Sequence, residues 1–259
     1  MKLFKYTDLN TLKLILENNS LLFRSPRDFN DPYDCQLPFD FNNSEKEVLD
    51  YFKYLRNRKR HLPLDKIFNR LPDNWKEMSE DEVIELHAIR NSNNDVSLRL
   101  EADEAINEII TNMGVCCFSK DSKNILMWSH YSDMHKGVCL EFEIEYDKNI
   151  FFDLIEIEYV NRYDKFNILR EQENKGEFKK YMVGLKSKDW KYEDEIRSIK
   201  TTNGLHKFKP NALTGIIFGL KSSEVERTCI ESFCKNKIIY NHICFYKAKK
   251  IDGIFEIGY

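Results

Sequence analysis

The chain has 259 residues, 42% of them hydrophobic, 32% charged and 13% aromatic, with a formal net charge of −3. That is enough chain for a sizeable core and too apolar a composition for a disordered one, while the near-neutral balance supplies no global attraction to phosphate backbones and argues against a dedicated DNA binder. No run approaches a membrane span and MKLFKYTDLN holds no signal-peptide core, so a cytoplasmic protein without a membrane partner is expected.

Residues 7–18, TDLNTLKLILEN, place Leu9, Leu12, Ile15 and Leu16 on one helical face behind a Thr or Asp cap. SLLFRS then reads as a short strand that aims the loop FNDP at one end of a sheet. From about 44 to 112 the pattern is helical and reads as an insertion. Capping boxes stand at Ser44/Glu47 and Ser79/Glu82, with one apolar stripe on Val48, Tyr51, Phe52 and Leu55 and a second on Leu98, Ala102, Ala105, Ile106, Ile109 and Met113. The basic run KYLRNRKR at 53–60 is expected to be a solvated helix face.

Strands resume with GVCCFS. In KGVCLEFEIEY, Val138, Leu140, Phe142 and Ile144 alternate with Cys139, Glu141, Glu143 and Glu145, which predicts one buried and one acidic face. IFFDLIEIEYV continues as strand, 163–187 as helix broken near Gly176, and DWKYEDEIRSIK returns toward strand. The chain then gives strand TGIIFG, a helix capped by Ser223/Glu226, and strands around ICFYKA and DGIFEIGY. The sum is one α+β domain over 1–259, a central and mainly antiparallel sheet with flanking helices and a helical insertion. The 7 cysteines include no C-x-x-C pair and read as buried thiols rather than disulfides or a zinc site.

Five stretches invite a chemical reading. GIIFGLKSSE has the order of a phosphate loop, but three residues separate Gly215 from Gly219 and Leu220 interrupts the Gly-Lys step, which leaves a strand-to-helix turn with capping serines. His130 and His135 lack the spacing of a metal pair, and no metal is expected. NILMWSHYSDMHKG gathers Trp128, His130 and Tyr131, either as an aromatic platform for a planar ligand or as core aromatics beside an exposed histidine. In WKYEDEIR, a strand puts Glu193, Glu195 and Arg197 on one face, whereas a helix makes Glu193 and Arg197 an ion pair one turn apart. In FRSPRDFNDPYD, two prolines, Asn30 and Asp31 build a turn that Phe29 can anchor, and Arg24 and Arg27 beside it suit a pyrophosphate or carboxylate.

The ordered set FKYTDL, LLFRSPRDFNDPYD, CCFSKDSKNILMWSHYSDMHKGVCLEF, KDWKYEDEIRSIK and LTGIIFGLKSS resembles the bacterial family called domain of unknown function 2971. More distantly, the layout is similar to the ADP-ribosyltransferase superfamily. That likeness implies an NAD site in which Lys5 and Tyr6 take the first position, Tyr131 the middle one and Glu193 or Glu195 the catalytic one. Arg24, Ser25, Asn30, Asp31, Trp128, His130 and Arg197 would then bind substrate. The implied activity is an NAD-using ADP-ribosyltransferase or NAD glycohydrolase, acting in antiphage defence or as a toxin, with a nucleotide as small-molecule partner and a protein or nucleic acid as acceptor. The alternatives are a nucleotide or nucleic-acid binding module without turnover, and a metal-dependent nuclease on Asp31, Glu193 and Glu195.

Overall fold

The computed structural model describes residues 1–40, 44, 46–47, 50, 74–79, 81–83, 85–86, 95–167 and 177–259. The expected stripe at 48–55, the basic run at 53–60 and the break near Gly176 lie outside these residues. The chain divides into two compact units, one made of Met1–Asp31, Asn112–Asn161 and Gly184–Tyr259, the other of Pro32–Thr111 and Arg162–Val183. Residues 44–111 of the expected insertion therefore share a unit with 162–183.

The first unit is built on a seven-stranded sheet ordered β11-β10-β4-β1-β3-β8-β5. Its strands are β1 (Lys2–Thr7), β3 (Gly114–Ser119), β4 (Val138–Glu143), β5 (Leu154–Glu156), β8 (Glu195–Lys200), β10 (Leu213–Phe218) and β11 (Cys244–Lys247). Only β10 and β11 run parallel; every other neighbouring pair is antiparallel. The mixed α+β class with a mainly antiparallel sheet is thus found. Helix α1 (Leu9–Asn18) starts where Asp8 accepts the Thr11 amide at 2.9 Å, and it buries the four apolar residues its spacing predicts. It leads into β2 (Ser20–Phe23), which pairs with β9 (Gly204–Lys207).

Both faces of this sheet are covered. On one, Leu3, Phe118, Leu140, Phe142, Ile196 and Ile216 join the larger core; on the other, Phe4, Tyr6, Cys139 and Ile217 pack with Met127 and Trp128. The latter two come from the helix at Ile125–Tyr131. This corrects the expected acidic face of β4: Cys139 and Glu141 are buried, because β4 is an interior strand rather than a half-solvated one. Glu141 tolerates burial by accepting from Lys2 at 2.9 Å and Thr214 at 2.8 Å.

In the second unit, helix α2 (Asp95–Asn112) buries Ile106 and Ile110, so Ile109, expected in the stripe, is exposed. Both capping boxes form, with the Ser44 and Ser79 amides each donating to the glutamate three residues on at 2.8 Å. The aromatic rings of Phe39, Phe166 and Tyr181 pack together, and the Tyr181 hydroxyl donates to the Pro38 carbonyl at 2.6 Å.

Three more expectations need correction. IFFDLIEIEYV divides into β5 and β6 (Glu158–Val160) around Ile157. The stretch read as helix to 187 is helical only over Glu177–Val183 among the described residues, and Leu185–Ser187 is strand β7, paired in parallel with β6. Finally, Cys229 and Cys244 are exposed, unlike the buried Cys35, Cys116, Cys139 and Cys234. No helix among the described residues is long and apolar enough to cross a membrane.

Candidate functional site

The chain reaches the site twice from the same segment. After β7, residues Lys188–Glu193 form a 3-10 helix that ends at Asp194 in the left-handed region, φ 42°. That turn leads into β8, so Glu193 and Glu195 come from different elements and both reach Lys186. Arg197 follows on the same face of β8 as Glu195. Its guanidinium grips Glu195 with two bonds, Nε to Oε1 at 2.8 Å and Nη2 to Oε2 at 3.2 Å. Lys186, from β7, lies between the carboxylates: its ammonium donates to Glu195 Oε2 at 2.9 Å and also to Glu193 Oε2. The second Glu193 oxygen accepts from the Tyr131 hydroxyl at 2.5 Å. Glu193, Glu195 and Arg197 are all buried.

The two glutamates differ in proton affinity. Burial pushes Glu193 above the ordinary carboxylate range, with the charge of Glu195 adding to the rise and Lys186 opposing it. Burial acts on Glu195 in the same sense, but Arg197 and Lys186 outweigh it and hold that carboxyl far below its ordinary value. Burial, together with the bond to Glu193, raises the Tyr131 phenol.

Around this buried network lie half-buried aromatic side chains. The Tyr159 hydroxyl accepts the Glu195 amide at 2.9 Å, Trp190 lies 5.2 Å from the Lys186 ammonium, and the Trp190 and Tyr192 rings are 6.0 Å apart. His130 is exposed and shares a 3.0 Å hydrogen bond with the Tyr192 hydroxyl.

The opening loop joins the site through Phe29, whose ring centroid lies 5.4 Å from the Arg197 guanidinium. Pro26–Asp28 form a 3-10 turn capped by Ser25, whose hydroxyl accepts the Arg27 amide at 3.3 Å. Asn30 is exposed and Asp31 buried. Arg24 is exposed and bridges Val115 through two backbone bonds of 2.9 and 2.8 Å. Val115 and Cys117 alternate onto one face of β3, and Cys117 pairs with Arg197, so the register places Arg24 on the face that carries Arg197 and Glu195.

Other candidates sit elsewhere or are enclosed. Trp128 has no exposed surface: it meets Tyr6 edge-on at 5.2 Å and donates its indole N–H to the Ser122 carbonyl at 2.9 Å, which corrects its reading as an open stacking platform. Tyr6 is buried in the same cluster and donates to the Asp121 carbonyl at 2.8 Å. Lys5 faces the opposite side of the sheet, over the Phe118 ring at 5.4 Å, so the Lys5/Tyr6 position does not join the glutamates. His135 stacks on Trp128 and shares a 3.1 Å bond with Ser129. The segment at 219–223 is an ordinary strand-to-helix turn: Ser223 caps the helix at Glu224–Asn236, and the Lys247 ammonium donates to the Gly219 carbonyl at 2.6 Å. Among the described residues no group of His, Cys, Asp and Glu is placed to hold a metal ion.

Lys186, Tyr159 and Trp190 escaped the sequence reading. Lys186 lies in a stretch that scans as helix, and the three residues of Leu185–Ser187 are too few to show a strand period.

The fold and site together define an α+β protein with an ionic network of two glutamates, a lysine and an arginine buried at one end of a sheet. Residues 127–198 match the family described as "Protein of unknown function (DUF2971)". The resemblance to that family is therefore found over the segment that runs from Met127 to Ser198 and carries both the tryptophan-serine-histidine-tyrosine stretch and the two glutamates. No curated protein and no solved structure matches the chain.

Proposed function

We propose that the protein is an NAD-using enzyme of N-glycosidic bond chemistry, an ADP-ribosyltransferase or NAD glycohydrolase, with Glu193 as its acting carboxylate. The supporting observation is a pair of buried glutamates that share one ammonium yet have oppositely shifted proton affinities. Such divergence separates roles at sites that act on glycosidic bonds. Glu195, held by two guanidinium bonds and by Lys186, is a fixed charge with little freedom to meet a substrate. Glu193 is different, since one of its oxygens is held, among the described residues, by the Tyr131 hydroxyl alone. A ribose hydroxyl offers the same donor and would take that place. Glu193 would then stabilise the positive charge that develops on the ribose as the bond to nicotinamide breaks.

The aromatic rim supplies the rest. Trp190 and Tyr192, half-buried with rings 6.0 Å apart, would stack on a nicotinamide or adenine, the role that the enclosed Trp128 does not fill. Arg24, exposed on the same sheet face, suits the pyrophosphate. A toxin or antiphage role is consistent with such chemistry.

The test is purified protein with NAD, with and without cell lysate, following free nicotinamide by chromatography. Release by the wild-type chain that falls at least 100-fold in Glu193→Gln, with the fold retained, is the expected result. Absence of release from folded protein in both conditions removes NAD chemistry and leaves a nucleotide-binding module.

A further inference from the structure

We propose that Lys186 is the positioning residue of this site, holding Glu193 charged and oriented between Tyr131 and Glu195. The inference rests on Glu193 being the acting carboxylate. Glu195 shares the lysine but also has a bidentate partner in Arg197. Glu193 leans on the lysine more heavily. Among the described residues Lys186 is the one cation within ion-pair reach of Glu193.

The other titratable groups near Glu193 cannot replace that charge. The helix at Ile125–Tyr131 contributes the Tyr131 phenol, β6 the Tyr159 phenol, and the Glu193 turn itself Tyr192. From β8 comes Glu195, a like charge, whose own partners include Arg197 and Cys117. Asp194 turns its carboxylate to Lys120 at 3.0 Å. Without Lys186, Glu193 would keep its burial and its like-charged neighbour and lose the charge that opposes them, with the Tyr131 hydrogen bond left to favour its ionised form. It would hold its proton to higher pH, and a protonated Glu193 has no charge with which to stabilise an oxocarbenium ion and has one oxygen turned donor. The Lys186 side chain is itself nearly enclosed and lies over the Trp190 ring, so the rim and the carboxylate are registered by one residue.

The experiment is a carboxyl-carbon NMR titration of Glu193 in wild type, Lys186→Met, Lys186→Arg and Glu195→Gln, with the pH profile of nicotinamide release measured in parallel. Lys186→Met should move the Glu193 titration up by about one pH unit or more and carry the acid limb of turnover with it. Lys186→Arg should bring both most of the way back, and Glu195→Gln should move Glu193 down. An unmoved titration in Lys186→Met overturns the proposal, as does an unmoved one in Glu195→Gln should Lys186→Met not fold. Wild-type protein without turnover would sink the NAD reading, whereas the titration still decides whether Lys186 sets the state of Glu193.

Discussion

Among the described residues, Trp128 and Arg197 are the two largest side chains without solvent exposure, and both are buried against the same face of one sheet. Their surroundings are opposite. Trp128 packs with Phe4, Tyr6, Cys139 and Ile217, so its burial is ordinary hydrophobic gain, and its single N–H is satisfied. Arg197 is buried against Glu195 and Phe29, with Lys186 and Glu193 next in line. Such an ionic cluster seldom improves on apolar residues of the same volume, because desolvation offsets the mutual attraction. A sheet that needed only stability could have extended the tryptophan half over the whole face. The ionic half is therefore the part of the fold that points beyond stability.

The largest effects test whether the two halves are buried for different reasons. Arg197→Met takes the bidentate partner from the buried Glu195 charge, leaving it a lysine shared with Glu193, and should cost about 3–5 kcal/mol in urea unfolding. Trp128→Ala should cost a similar 3–5 kcal/mol through the cavity it opens. The halves separate on repair: Arg197→Met combined with Glu195→Leu should recover much of the single-mutant loss, since it removes both charges together. No second substitution of comparable kind rescues Trp128→Ala. A double variant as unstable as Arg197→Met alone would mean that the ion pair is a net stabiliser, and the contrast would fail.

A smaller effect, of opposite sign for each glutamate, is expected in pH dependence. Glu195 titrates in the fold below its unfolded value, so its contribution is present above the unfolded value and is lost as pH falls toward the folded one. Glu193 titrates above its unfolded value, so its contribution is present below the unfolded value and is lost as pH rises through the folded one. Relative to Glu195→Gln, wild type should gain stability with rising pH; relative to Glu193→Gln, it should lose it. Denaturant midpoints from acid to neutral pH measure both slopes, and slopes of the same sign would contradict the divergence on which the proposed chemistry depends.

The same two regions show where sequence was informative. Helix α1, β3, β10, the capping boxes and the mixed, mainly antiparallel class follow from local periodicity and capping, which depend on neighbours within a few residues. The clustering of Glu193, Glu195 and Arg197 was half visible, because a strand reading puts all three on one face. What no spacing could supply was the left-handed Asp194 that leads from the Glu193 turn into β8, or the parallel pairing of β6 and β7 that brings Lys186 between the two glutamates. Trp128 and Tyr131 show the same limit from the other side. They stand three apart in one aromatic stretch, yet one is entirely enclosed and the other reaches Glu193. Which aromatic faces the core depends on what covers the helix, and that is tertiary information.

Tyr131 is the seam between the halves, since it packs against the apolar cluster and its hydroxyl reaches the ionic one. Tyr131→Phe keeps the ring and deletes one hydrogen bond, so its stability cost should be the smallest here, about 1 kcal/mol. Its functional consequence is more informative. The hydroxyl favours the charged form of Glu193, so its loss should push that titration up, though by less than the loss of Lys186, which supplies a full charge. It should also leave one Glu193 oxygen without its resident donor. If a ribose hydroxyl normally displaces Tyr131, the Phe variant begins with that place vacant, and KM for NAD should fall or hold steady while the acid limb of turnover moves up. A large rise in KM at neutral pH would instead mean that the Tyr131 hydroxyl stays on Glu193 throughout the reaction, and the ribose contact would have to be sought elsewhere on the rim.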